Sequence, residues 1–351
     1  MPHPYRLPLL ALMFTMLPGI RIFRASAALQ FEEVYRLVST NLTALPAGEL
    51  NELAVAGLLE QLGPRARFVD DAAPAPVGEL IVATRVFPDN LGYVRLGDVS
   101  GGVAPRLAAA LETLAATNAL QGLVLDLRFA GGADFATAAR TADLFFAPGE
   151  PVLDWGEDVF RATSKTNRFT RPVAVLVNGS TSGSAEALAA ALRSGGLALL
   201  IGSPTAGEAA VYRDFPLTDG RKLRVAVTPV KTGDGQPVQG TGLKPDIAQV
   251  LPPEMERQYL ANPYLTFSGG GSATRSGDTN EVTLAGRGRP RLNEAELIRA
   301  RQEALNPAGA PTEPAKIPSL LATSTAPLVR DPVLARGLDL LKGLNAVQPP
   351  Q

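Results

Sequence analysis

Between residues 80 and 250 the chain alternates two kinds of segment, and this constrains its fold more than any other feature. LGYVRLG (91–97), GLVLDLR (122–128), PVAVLVN (172–178), LALLIG (197–202) and KLRVAVTPV (222–230) are short runs rich in β-branched residues, bounded by Gly, Pro, Asp or Asn. Such runs read as strands. VAPRLAAALETLAAT (103–117), DFATAARTADLFF (134–146) and SAEALAAALRS (184–194) lie between them with apolar residues at helical spacing. Strands interleaved with helices predict a layered α/β core, helices packed on a sheet. GLVLDLR is apolar on both faces and should be a central, buried strand.

Three regions flank or punctuate this core. FEEVYRLVSTNL and ELNELAVAGLLEQL place residues 28–72 in a small helical N-terminal module, joined through DDAAPAPVGE to a core over 73–253. Residues 254–351 read as an extended tail. SGGGSATRSGDTNE (268–281) and LNPAGAPTEPAKIPS (305–319) are too poor in apolar surface to offset the entropy of ordering. LNEAELIRARQEAL (292–305) and DPVLARGLDLLKGL (331–344) are short amphipathic helices within that tail. At the other end, Arg6, the apolar run 7–20 and the small-x-small triplet Ala25-Ser26-Ala27 form an export signal over 1–27, placing the protein in the periplasm or cell envelope. Arg21 and Arg24 interrupt the usual pattern, so a membrane anchor is expected only if this segment stays uncleaved.

Composition removes several chemistries. A formal net charge of −1 gives no field to gather nucleic acid. There is no cysteine, and the one histidine, His3, lies in the leader. Ser-His-Asp triads, Cys-His pairs and HExxH zinc sites are therefore excluded from the mature chain. A nucleophile would have to be a hydroxyl, activated by lysine, carboxylate or backbone dipoles.

Three turns could carry such chemistry. In DLRFAGGADF (126–135), Gly131 and Gly132 follow the buried strand and lead into a helix. Backbone N–H groups there suit an oxyanion hole, although a strand-to-helix turn needs glycine for its dihedral freedom alone. In NGSTSGSAE (178–186), Ser182 and Ser184 stand at a helix start, where hydroxyl residues also serve as ordinary caps, and Glu186 suits the helix's positive end. GSPTAGEAAV (202–211) has the outer glycine spacing of a phosphate loop, but Glu208 stands where that loop needs lysine, so no nucleotide is expected.

Taken in order, LGYVRL, GLVLDLRFAGG, PVAVLVNGSTSGSAEALAAAL, IGSPTAGEA and GTGLKPDI (240–247) resemble the tail-specific, or C-terminal processing, serine peptidase family. The resemblance implies a crotonase-like (Clp-protease-like) core, no metal and no cofactor, a peptide or protein substrate, and a serine-lysine dyad. Many relatives insert a PDZ domain where this chain has only DDAAPAPVGE and a few more residues, too few for one.

The dyad itself is altered. Laying Asn178 and Glu186 on the family's Asn-x-x-Ser/Thr-x-Ser-x-x-Glu without a gap puts Gly183 at the nucleophile and Glu208 at the lysine. A glycine has no oxygen, and a serine hydroxyl attacks only when a base takes its proton. Activity would require Ser182 or Ser184 to replace Gly183, with Glu208, Lys222 or Lys231 as base. A one-residue shift at a helix start rotates a side chain by about 100°. The alternative is a catalytically inactive pseudopeptidase that binds peptide or protein partners.

Overall fold

The computed structural model describes residues 30–42, 44–69, 78–238, 240–266 and 328–347. The leader and the segments 268–281, 292–305 and 305–319 lie outside them. The chain divides into two compact units, residues 1–62 and 63–351. The first contains α1 (Phe31–Asn41) and α2 (Ala47–Leu62), neither of which has a buried residue. Within it, the Tyr35 hydroxyl donates to Asn51.

The second unit is built on a six-stranded sheet of β2 (Ile81–Phe87), β3 (Leu91–Leu96), β4 (Gly122–Asp126), β7 (Val173–Val177), β8 (Ala198–Gly202) and β12 (Ile247–Ala248). Its spatial order is β12-β8-β7-β4-β3-β2. All neighbours are parallel except the β2–β3 hairpin. Helices α3 (Val103–Thr117), α4 (Phe135–Asp143) and α5 (Gly183–Ser194) supply the crossovers. Alternate residues of a strand face opposite sides of a sheet. Leu123 and Leu125 of β4 accordingly join the core with Val103 and Leu107 of α3, Phe135 and Ala138 of α4 and Leu188 of α5. Val124 joins the opposite core. The central burial expected of GLVLDLR is what the structure shows, with every residue of β4 buried.

That opposite core corrects the expectation of an extended C-terminal tail. Helix α7 (Pro332–Val347) lays Val333, Leu334, Leu338 and Leu341 against Tyr93, Val124, Ala174 and Leu176. DPVLARGLDLLKGL is thus a structural layer of the fold, preceded by α6 (Pro253–Ala261), whose Glu256 and Tyr259 are buried. Its amphipathic pattern gives a helix but not its destination, because the sheet face it covers lies some two hundred residues upstream.

Two three-stranded antiparallel sheets flank the main one: β1 (Ala66–Val69), β10 (Lys222–Pro229) and β9 (Ala210–Pro216) in the order β1-β10-β9, and β11 (Lys231–Thr232), β5 (Pro151–Asp154) and β6 (Phe160–Arg161) in the order β11-β5-β6. Strand β1 lies within the segment assigned above to the helical module. The module ends at Leu62, and ARFV pairs with β10 in the register Ala66 to Val225. Four residues carry little periodicity of their own, and the partner that makes them a strand is distant in sequence. Among the described residues no helix is long and apolar enough to cross a membrane.

Candidate active site

Three loops at the C-terminal ends of β4, β7 and β8 form the site. Beneath the first, Arg128 is buried and its guanidinium is shared between two carboxylates. Its Nη2 donates to Asp126 Oδ2 at 2.6 Å and to Asp331 Oδ2 at 2.8 Å. Tyr93 adds a 2.9 Å bond to Asp126. Burial opposes the charge on Arg128, but the two aspartates outweigh it and hold the guanidinium protonated well above its usual range. Burial and the neighbouring Asp126 likewise push the Tyr93 hydroxyl upward, keeping it a donor.

Above this base the backbone turns sharply. Phe129 adopts a left-handed φ of 61° and is held there by Asn178, whose Oδ1 accepts from Phe129 N and Ser180 N, each at 3.1 Å. The other end of the Asn178 amide donates to buried Glu256 at 2.7 Å. Thr181 Oγ1 donates to Leu127 O at 2.8 Å and accepts from Asn178 N at 3.0 Å. Each of these side chains satisfies backbone groups that a buried turn would otherwise leave unpaired.

The glycine turn and the serine turn are zipped directly together. Ser182 N donates to Ala130 O and Ser184 N to Gly132 O, both at 3.0 Å, while Val99 N donates to Gly131 O at 2.9 Å. Gly183 sits at the centre of this zipper with φ of 57°. A Cβ at that position would collide with Gly132 O, and one on Gly132 would collide with Ser184 Oγ. Position 183 therefore has neither a side-chain oxygen nor, in this conformation, room for one. Ser184, fully buried, donates its hydroxyl to Val99 O at 2.6 Å. Ser182 is the N-cap of α5, yet its side chain makes no capping bond, and its Oγ lies 3.5 Å from where a Cβ of Gly131 would stand.

The third loop is drawn in by Glu186. Its carboxylate does not simply face its own helix end, as its first-turn position suggested. It accepts from Gly207 N at 2.9 Å, Glu208 N at 2.8 Å and the Thr205 hydroxyl. Burial raises the Glu186 pKa, opposed by these hydrogen bonds to the ionised form. Ala206 N donates to Thr181 O at 3.0 Å, completing the link between loops two and three.

Glu208 turns its side chain to Arg67 of β1, with which it forms an ion pair, and makes no hydrogen bond to either serine among the described residues. The Arg67 guanidinium lies 5.8 Å from the centroid of the Tyr212 ring. The lysines proposed as substitute bases are elsewhere. Lys231 faces Asp154 at 3.8 Å, and Lys222 opens β10 opposite Pro216. From Ala210, beside Glu208, to Pro216 is six residues, about 20 Å of extended strand.

Thus Gly131, Gly132, Ser182, Gly183, Ser184, Glu186 and Glu208 do converge, whereas Lys222 and Lys231 do not join them. Sequence reasoning missed Arg67, because ARFV was placed in the helical module, and Glu256 and Asp331, because both lay in the assumed tail.

Comparison with known proteins agrees with this architecture. The profile of peptidase family S41 matches residues 90–249, which span β3 to β12 and all three loops. Residues 90–249 thus form a region similar to the S41 peptidases. The chain is 32% identical over 179 residues to the carboxy-terminal-processing protease of Bartonella bacilliformis, covering 48% of this chain and 41% of that protein. It is 30% identical over 196 residues to the carboxy-terminal processing protease CtpA of Bacillus subtilis, covering 54% and 40%. The chain thus spans about two fifths of the length of these relatives. A candidate peptidase of known crystal structure from Parabacteroides merdae shares the fold, with a TM-score of 0.50 at 19% identity over 67% of this chain and 87% of that one.

Proposed function

We propose that this chain is an S41 pseudopeptidase of the cell envelope: it holds peptide or protein segments beside a retained set of active-site turns without cutting them. One observation carries this reading. A serine at Gly183 would need a left-handed backbone and would press its Cβ on Gly132 O, which supports reading the nucleophile position as closed as well as vacant. The position of the general base reinforces it, since Glu208 is engaged by Arg67. No cofactor, metal or nucleotide enters the proposal. Export rests on the leader at residues 1–27, and membrane attachment would follow only from retention of that leader.

A second reading, a working peptidase using Ser182, is favoured by one specific feature: its hydroxyl is uncommitted and stands next to Gly131. An unfolded protein substrate and a fluorophosphonate serine probe distinguish the two. The pseudopeptidase gives neither cleavage nor labelling. Labelling that disappears in Ser182→Ala, with folding intact, would establish Ser182 as the nucleophile instead.

A further inference from the structure

We propose that the binding groove selects extended segments carrying an acidic residue between two apolar ones, spaced apolar-x-acidic-x-apolar, with Arg213 as the selecting residue. This rests on the peptide-binding reading above and specifies its ligand.

A cavity of about 650 Å³ opens beside the glycine turn. It is lined by Ala133 to Ala136, immediately after Gly131 and Gly132, by Trp155, by Ala210 to Asp214 of β9 and by Arg224 of β10. Five consecutive residues of a strand line this space. Since consecutive side chains point to opposite faces, a cavity that all five line reaches the edge of the strand, while Arg224 of β10 borders it beside Asp214. That edge is open: β9 ends the order β1-β10-β9 and is paired only with β10 among the described residues. An extended peptide entering the cavity therefore meets unpaired backbone donors and acceptors and adds as a fourth strand.

The side chains then determine what the strand carries. Asp214 is neutralised by a two-point pair with Arg224 at 2.7 and 2.8 Å. Asp134 is engaged as the cap of α4, accepting from Thr137 N at 2.9 Å and Thr137 Oγ1 at 2.6 Å. Arg213 also lines the groove and has no ion pair or hydrogen bond among the described residues. Its guanidinium offers a fork of donors matched to a carboxylate. On the same face of β9, two residues to either side, stand Val211 and the exposed Phe215. Directly opposed residues of paired strands share a face, so a ligand residue opposite Arg213 is acidic and those two positions away are apolar.

Trp155 is the protein's only tryptophan and lines this groove, so it reports occupancy by its own fluorescence. Three blocked peptides make the test: acetyl-Ser-Val-Thr-Glu-Thr-Val-Ser-amide, the same peptide with Gln for Glu, and one with Glu moved one place toward the N-terminus. The first should bind at least about tenfold more tightly than the others, with a preference that fades as salt rises. Arg213→Gln should erase the preference while leaving binding of the Gln peptide unchanged, and Arg213→Glu should favour a Lys peptide. Equal affinity for Glu and Gln peptides, or a preference that survives Arg213→Gln, overturns the selection while leaving peptide binding in place. No binding by any of the peptides, by fluorescence and by calorimetry on folded protein, overturns both the selection and the peptide-binding reading beneath it.

Discussion

The site has two layers that differ in how they are made. The supporting layer of Arg128, Asn178, Thr181, Glu186 and Glu256 is buried, and its polar side chains are closely bonded to the turns they hold. The layer proposed as a closed reaction centre has a glycine at position 183 and a partly exposed glutamate, Glu208, paired with arginine. The contrast teaches that holding three loops together and cutting a peptide bond are separable demands on this fold. A buried polar group costs stability as soon as its partner is lost, whereas a vacant reaction centre costs none.

The largest test of that contrast removes Arg128. Arg128→Met leaves Asp126 and Asp331 facing each other without a cation and should cost roughly 3–5 kcal/mol in chemical denaturation. Glu208→Gln breaks a partly exposed pair in the other layer and should cost about 0–1 kcal/mol. Comparable losses at the two positions would erase the distinction between layers.

Restoring the dyad tests whether the reaction layer is merely vacant or structurally closed. Gly183→Ser should cost roughly 2–5 kcal/mol: about 1–2 for a side chain in the left-handed region and about 1–3 for crowding against Gly132 O. With Glu208→Lys added, the protein should still not cleave an unfolded substrate. A stable, active double variant would mean that the turn opens readily and that its closure is not fixed by the fold.

The two serines sharpen the boundary between layers. Ser184→Ala removes the buried bond to Val99 O and orphans that acceptor, a loss of about 1–2 kcal/mol. Ser182→Ala should change stability by no more than about 0.5 kcal/mol, because its hydroxyl bonds to nothing among the described residues.

The smallest effect concerns Glu256. Burial raises its pKa, and its Oε1 is buried without a partner among the described residues. A carboxyl whose pKa is higher folded than unfolded stabilises most below the unfolded value, about 4.3, and that contribution fades as pH rises through the folded value. Glu256→Gln keeps an acceptor for Asn178 and removes the titration. Its melting temperature should fall less than the parent's between mildly acidic and neutral pH, and parallel pH profiles would refute the assignment.

Much of this was legible in the chain. The alternating runs give α3, β4, β7, α5 and β8 nearly to the residue, because each carries its own periodicity. Given the family resemblance, a gapless count from Asn178 to Glu186 implies that Gly183 stands at the nucleophile, without reference to any structure. Strands β2 and β9 were less visible: IVATRVF and AVYRDFP carry exposed polar residues and are defined by their pairing.

The sequence by itself determined that no cysteine was available and that His3 was the one histidine, and that the core would be layered α/β; it also motivated the reading that Gly183 and Glu208 occupy the dyad positions. Only the tertiary structure decided that Ser184 spends its hydroxyl on Val99, that Glu208 meets Arg67 141 positions away, and that Asp331 completes the Arg128 network from 203 positions away. The physical reason is range. Periodicity and turn chemistry act over a few residues and can be read locally, whereas the partner of a buried charge is chosen by packing between segments whose separation along the chain leaves no trace in either one.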